Sequence, residues 1–169
     1  MSRDEFMTKS IDVLLRMLAV QVEGYGRLVD RLRAKREAIR VANLASVVEV
    51  CHEERQIIDR IAEVEQSRLR LVSEVAARTD REILNVEEIV ELTDETRGEK
   101  LRGLAAELKS RILAAQEESS IVNDAAAALS RHMAGLLQTV QVSLAGGGVY
   151  GRRGRIAAPR QDLCIDVRS

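Results

Sequence analysis

The sequence has few aromatic residues, one proline and two cysteines, and each shortage excludes a class of protein. The aromatic residues are Phe6, Tyr25 and Tyr150, too few to fill a thick globular interior or to form a stacking surface for nucleobases. Cys51 and Cys164 match no metal-binding or redox spacing, which fits a reducing compartment. No apolar run approaches the roughly 18 residues that a membrane span needs. We therefore expect a cytoplasmic protein with a thin, aliphatic core.

Helix-forming residues dominate what is present. Ala, Leu, Glu, Lys and Arg account for 83 of the 169 residues, a share typical of long helices and coiled coils. The formal net charge is -1, so the chain as a whole is not attracted to nucleic acids or to anionic membranes. We expect an all-α fold: an elongated antiparallel three-helix bundle of the coiled-coil type, with a short connector helix and a flexible C-terminal tail.

Apolar residues recur every three or four positions in three long stretches, which predicts three long helices. We call each such row of apolar residues a stripe. After Asn43 the three-and-four spacing restarts at a different position, so we expect a turn at residues 41–44 rather than one continuous helix of about 110 Å. In the third long stretch, Ser119 is the one polar residue in the stripe. The predicted helices cover about residues 3–41, 44–78, 85–92 and 97–145, and the segment 85–92 is the connector.

Three helix-start signals lie close together around the connector. Thr79, Asn85 and Thr96 are each followed three residues later by Glu, the pattern of a capping box that satisfies free backbone N–H groups. The third long helix should end at the glycines 146–148, because glycine is unfavourable inside a helix. We therefore predict two parts, a helical bundle at 1–145 and a flexible Gly/Arg-rich tail at 146–169.

Patterns that would carry chemistry are weak in this sequence. His52 follows Cys51, but neighbouring helical residues point about 100° apart, and no further His or Cys completes a metal site. We interpret Cys51 as a small buried residue of the helix seam and expect no metal, no cofactor and no enzymatic activity. The arginines at 151–155 could contact nucleic acid, but three arginines release few counterions, so no nucleic-acid partner is expected.

The parts of the chain follow one another in an order known from one protein family. A Tyr and Leu stripe runs into Lys-Arg-Glu-Ala at 35–38, an Asn-Leu turn follows, and a Glu-rich helix ends in Glu65-x-x-Arg68. A connector, a long helix with Asn123 and a Gly-rich tail with Tyr150 come next. In these features the chain resembles the FlgN-type flagellar export chaperones. The resemblance implies a bacterial cytoplasmic protein that escorts hook-filament junction proteins to the flagellar type III export apparatus.

The resemblance also implies that the C-terminal part binds the terminal helical segment of the client and prevents its premature assembly. An amphipathic client helix would lay its apolar face in a groove of the chaperone, and tail residues would become ordered over it. The predicted partner-binding residues are Leu129, Met133, Leu136, Leu137 and Val140 on the third long helix, and Tyr150, Ile156, Leu163, Ile165 and Val167 in the tail.

Several alternatives stay open from the sequence. The export ATPase and the export gate are further candidate partners, and a homo-oligomer is compatible with the stripes. The main alternative is a structural or adaptor coiled-coil protein whose stripes pair with copies of itself. A weaker alternative is a nucleic-acid binder that uses the arginine-rich tail. Membrane insertion is not expected.

Overall fold

Helices make up most of the described part of the chain. The computed structural model describes residues 3–80 and 85–146, and within these ranges it has no strand, which confirms the all-α fold. The chain divides into two compact units, Met1–Ala127 and Ala128–Ser169. No helix in the described ranges combines the length and the apolarity needed to cross a membrane. The described helices are α1 (Arg3–Arg40), α2 (Leu44–Thr79), α3 (Val86–Val90) and α4 (Glu95–Gly146), of which α4 contributes residues to both units.

Helices α1 and α2 pack antiparallel in the unit Met1–Ala127. Three side-chain contacts of 2.8 Å join them, and the one that lies earliest in α1 reaches a later part of α2 than the other two do. Near the middle of α1, the absence of a side chain at Gly24 allows close approach, because a Cβ there would lie 2.9 Å from Cγ1 of Ile61 on α2. The three contacts are Gln21 with Glu65, Arg31 with Glu53, and Lys35 with Glu54.

The turn predicted at residues 41–44 is present between these helices. Ala42 has a φ of 53°, in the left-handed region that reverses the chain direction. Asn43 then caps α2, and its side-chain oxygen accepts a hydrogen bond from the backbone N–H of Ser46 at 3.1 Å. A left-handed alanine costs roughly 1 to 2 kcal/mol, so the packing of α1 against α2 and the Asn43 cap must offset that cost.

Of the three predicted helix-start signals, the one at Asn85 is confirmed. Its side-chain oxygen accepts from the backbone N–H of Glu88, whose carboxylate accepts from the backbone N–H of Asn85, so a complete capping box begins α3. The prediction at Thr79 is wrong, because Thr79 is the last residue of α2. Its buried hydroxyl donates to the carbonyl oxygen of Val75, and Asp80 ends the helix with a left-handed φ of 53°.

The start of α4 also differs from the prediction at Thr96. Asp94 caps this helix, because its carboxylate accepts a hydrogen bond from the backbone N–H of Arg97 at 3.0 Å. Helix α4 therefore begins at Glu95, and Thr96 lies within its first turn. The guanidinium of Arg97 also pairs with Asp94 at 2.7 Å and with Asp12 of α1 at 2.9 Å, which ties the start of α4 to α1.

The core of the unit Met1–Ala127 is thin and mainly aliphatic. Ile11 is 1% exposed and Leu101 is fully buried, and they join α1 to α4 within one cluster. The Arg78 guanidinium lies 3.7 Å from the centre of the Phe6 ring, so the one aromatic residue of the cluster carries a cation on its face. The other buried members of the cluster are Met7, Leu14, Leu18, Val75 and Ile89.

A buried carboxylate marks a second contact between α4 and α1. Glu118 is 8% exposed, and its oxygens lie 2.7 Å from Arg36 and 3.7 Å from Arg33. Together with the ion pair of Asp12 near the start of α4, this contact shows that α4 runs parallel to α1 in this unit. The buried charge in the stripe is thus Glu118, whereas the neighbouring Ser119 is only half-buried.

Candidate partner-binding surface

The helical part of the unit Ala128–Ser169 presents large apolar side chains on one side of α4. The five helix residues predicted to bind a partner are separated by four, three, one and three positions, which keeps them within an arc of about 100°. Leu129 is half-buried and the other four are exposed. Together we call these five residues the apolar face. Their exposed fractions beyond Leu129 are 46% for Met133, 50% for Leu136, 62% for Leu137 and 54% for Val140.

The same stripe of α4 is buried in the unit Met1–Ala127. Leu101, Ala115 and Val122 all belong to it, and none is more than 6% exposed. By contrast, every residue from 130 to 144 is exposed. Large apolar patches of this kind on a protein surface mark sites of interaction with other molecules. The exposed continuation of a core stripe is therefore the best candidate functional surface in the described part of the chain.

The part of α4 that carries the apolar face contains few charged residues. Among residues 128–146, Arg131 is the one residue with a formal charge, and His132 is the one other titratable residue. The hydroxyl of Thr139 donates to the carbonyl oxygen of Gly135, and the hydroxyl of Ser143 donates to the carbonyl oxygen of Thr139, both at 2.9 Å. Because these hydroxyl protons are used within the helix, the surface suits an apolar partner.

Two further apolar residues are exposed in this part of α4, and one of them extends the apolar face. Leu144 is 77% exposed and lies four positions after Val140, so the three-and-four pattern already contained it. Val142 is 65% exposed and lies on another side of the helix, about 200° from Val140. The three-and-four pattern could not predict that Val142 is exposed, because Val142 is not part of that pattern.

The predicted tail residues cannot be placed on this surface. Tyr150, Ile156, Leu163, Ile165 and Val167 lie outside the described residues. Their role in partner binding stays a prediction.

The interpretation of Cys51 as a buried seam residue is wrong. Cys51 is exposed, and the neighbouring Val50 occupies the buried position at 9% exposure. His52 lies 3.0 Å from the amide nitrogen of Gln56 on the same helix face. Within the described ranges, no group of three His, Cys, Asp or Glu residues is arranged to hold a metal ion.

Gln21, Glu65 and Arg68 form a polar cluster that lines a cleft of about 550 Å³ in the unit Met1–Ala127. Two hydrogen bonds from the Arg68 guanidinium, together with a weaker contribution from Gln21, hold the pKa of Glu65 below its ordinary value although partial burial opposes this. Glu65 and Arg68 form an ion pair on α2, and the hydrogen bond that Gln21 donates to Glu65 joins this pair to α1.

Comparison with models of protein families assigns the chain to a family. The family model described as FlgN protein matches residues 7–158, nearly the whole chain. The chain belongs to the FlgN family. FlgN is a chaperone family that is not known for enzymatic activity, and membership supports a role in flagellar protein export. Comparisons with curated proteins and with solved structures found no match.

The extent of the FlgN match bears on the candidate surface. It includes the whole apolar face and continues through Tyr150 and Ile156. The remaining tail positions Leu163, Ile165 and Val167 lie after its last matched residue. The FlgN family assignment thus covers the surface on α4 and only part of the predicted tail site.

Proposed function

We propose that this FlgN-family protein binds hook-filament junction proteins, which are hook-associated proteins, and masks their terminal amphipathic helix. Masking would prevent premature assembly until the client reaches the flagellar type III export apparatus. The observation that carries the proposal is the apolar face, whose residues Met133, Leu136, Leu137 and Val140 are 46% to 62% exposed on a described helix. A partner helix with apolar residues at the same spacing would cover them by helix-in-groove packing.

The size of the apolar face argues for a contribution from the tail. Complete burial of a Leu, Met or Val side chain is worth about 1.5 to 3 kcal/mol, so half-exposed side chains would gain about 1 kcal/mol each. Four such side chains supply roughly 4 kcal/mol, which is no more than the lower bound for the entropy cost of association. We therefore propose that Tyr150, Ile156, Leu163, Ile165 and Val167 add contacts over the bound helix.

Replacing one leucine of the apolar face tests the binding surface. Leu137→Ser removes a side chain that is 62% exposed, so folding should be preserved while the dissociation constant for a purified hook-associated protein rises about five- to thirtyfold. The matched control is Leu69→Ser, at a leucine that is 51% exposed on α2. Titration calorimetry on both variants measures the difference. Equal affinity of the two variants would show that the apolar face does not bind the client.

Deleting residues 147–169 tests the contribution of the tail separately. We expect the shortened chain to keep helices α1 to α4, because the deletion removes none of their residues, but to retain less hook-associated protein in a pull-down. Unchanged co-purification would refute the proposed role of the tail and leave the proposal for the apolar face standing.

We also propose that the first part of α4 completes an antiparallel three-helix bundle with α1 and α2. The ion pair between Arg97 and Asp12 and the buried Glu118 support this arrangement. Delivery of a client implies contact with the export ATPase or the export gate. If the protein is instead a structural coiled coil, it should form a stable homo-oligomer that excludes the client, and light scattering with and without client distinguishes the two.

A further inference from the structure

The cleft beside the polar cluster contains a buried hydrogen-bond acceptor without a donor. Gln21 is 3% exposed, and its Nε2 donates to the carboxylate of Glu65 at 2.8 Å. Its carbonyl oxygen Oε1 is also buried, but it accepts no hydrogen bond from any residue in the described part of the chain. A buried acceptor without a donor destabilises the fold, because it has lost its hydrogen bonds to water. Such groups are rare in folded proteins and often mark functional positions.

The walls of this cleft are mostly apolar. Eight of its 13 lining residues are aliphatic or aromatic, and they come from all four described helices. One of them, Leu113 of α4, is 55% exposed, so apolar surface is open to a ligand. The cleft volume of about 550 Å³ lies within the range of roughly 300 to 1,000 Å³ that is typical of small-molecule sites. Such sites combine apolar walls with a few polar groups that orient the ligand.

The cleft is bounded at both ends, so a partner helix fits it poorly. At one end lies Val86, the first residue of α3, which packs against the core cluster that contains Leu18. Towards the other end, the next inward residues of α1 after Tyr25 are Leu28 and Val29, which are at most 9% exposed and do not line the cleft. A partner helix needs a groove that continues along the surface for several turns. The cleft is therefore better suited to a small molecule.

We propose that the cleft binds a small apolar molecule with one N–H or O–H group, and that Oε1 of Gln21 accepts the hydrogen bond from that group. Glu65 and Arg68 already pair with each other, and Nε2 of Gln21 is bonded to Glu65, so Oε1 is the group of the polar cluster that lacks a donor. A small turn of the Gln21 amide brings Oε1 towards the ligand, because the last torsion of a glutamine side chain has a broad energy minimum. The site uses no residue of the apolar face, so it goes beyond the proposed binding of a client.

The test uses the full chain and two ligands that differ by one hydrogen-bond donor. Indole has an N–H group on an apolar double ring, and 1-methylindole has the same ring without that donor. The chain contains no Trp, so indole fluorescence reports on the ligand alone when the protein is titrated into it. We expect indole to bind about tenfold more tightly than 1-methylindole, because its N–H group pairs a buried acceptor. Equal affinities, or no binding of either ligand, would overturn the inference.

Replacing Gln21 separates the hydrogen bond from the packing of the cleft. Gln21→Met keeps the length of the side chain but removes the acceptor. We expect this variant to bind indole about tenfold more weakly than the wild type does and to bind 1-methylindole with unchanged affinity, so that the two ligands bind equally. An equal loss of affinity for both ligands would show that Gln21 shapes the cleft without accepting from the ligand, and would overturn the inference.

A matched pair of leucine variants locates the bound ligand. Leu113 lines the cleft, whereas Leu69 is similarly exposed, at 51%, and does not line it. We expect Leu113→Ala to weaken the binding of both ligands about threefold, because apolar contact is lost, and Leu69→Ala to leave it unchanged. Equal effects of the two substitutions would overturn the inference. A loss of indole binding in Leu137→Ser would also overturn it, because that result would place the ligand on the apolar face.

Discussion

The close approach of α1 to α2 at Gly24 leads to a stability prediction in which the sign depends on position. Replacing a helical glycine with alanine normally stabilises a protein, because alanine restricts the unfolded backbone and favours the helix. At Gly24, however, the new Cβ would lie 2.9 Å from Cγ1 and 3.4 Å from Cδ1 of Ile61. At Gly103, in α4, a Cβ would meet no atom within 4 Å. The two substitutions are chemically identical, so they isolate the effect of packing.

The magnitudes follow from two opposing effects. Gly103→Ala should raise the free energy of unfolding by about 1 kcal/mol, the difference in helix propensity between the two residues. Gly24→Ala has the same gain but also introduces crowding, which typically costs about 1 to 3 kcal/mol. The net change at Gly24 is therefore between about zero and a loss of 2 kcal/mol. The difference between the variants equals the crowding cost alone, because the propensity gain cancels.

Urea denaturation followed by far-ultraviolet circular dichroism measures both changes. We expect the midpoint of Gly103→Ala to lie above that of the wild type and the midpoint of Gly24→Ala to lie at or below it. In thermal melts, each kcal/mol should move the midpoint by about 2 to 4 °C for a chain of this size. Equal stabilisation by both substitutions would show that Ile61 does not restrict position 24, and would refute the argument for close helix contact there.

Three further predictions concern the buried core, a helix cap and an ion pair. Leu101→Ala should lower the free energy of unfolding by about 2 to 5 kcal/mol, because Leu101 is fully buried. Leu113→Ala is the control: Leu113 is 55% exposed, so the change should be less than about 0.5 kcal/mol. Similar losses in the two variants would contradict the placement of Leu101 in the core. Asn43→Ala should cost about 1 kcal/mol in urea denaturation by removing the cap of α2, and an unchanged midpoint would mean that the cap does not stabilise the turn. Arg68 lowers the folded-state pKa of Glu65 below 4.5, so their pairing stabilises the protein above about pH 4.5 and loses that effect as pH falls through the lower folded-state pKa. In Glu65→Gln, the loss of folding free energy between neutral and acid pH should therefore be smaller than in the wild type. The difference should be less than about 1 kcal/mol, since the Glu65 side chain is 39% exposed. An acid denaturation profile identical to that of the wild type would contradict the prediction.

Local signals in the sequence predicted the secondary structure well because helices form through contacts between near neighbours. The three-and-four spacing located the long helices, and the phase change after Asn43 located the turn. The capping box at Asn85 was confirmed for the same reason, since all its hydrogen bonds lie within four residues. Thr79 shows the limit of local signals, because a Thr followed by Glu three residues later also fits the end of a helix.

Side-chain burial required the tertiary structure. Cys51 and Val50 are adjacent and both apolar, and only the position of α1 decides that Val50 is buried and Cys51 exposed. In the same way, the sequence does not show that Glu118 rather than Ser119 is buried, because that depends on Arg33 and Arg36 of another helix. A carboxylate can be buried there because two guanidinium groups lie beside it.

The sequence by itself determined that the chain is helical, where its helices turn, and that it resembles the FlgN chaperones. Only the tertiary structure decided which part of the long apolar stripe is a core and which part is a surface. Leu101 and Leu137 have equivalent places in the pattern, yet one is fully buried and the other is 62% exposed. Periodicity records how side chains are arranged around one helix, whereas burial depends on whether another helix lies against them.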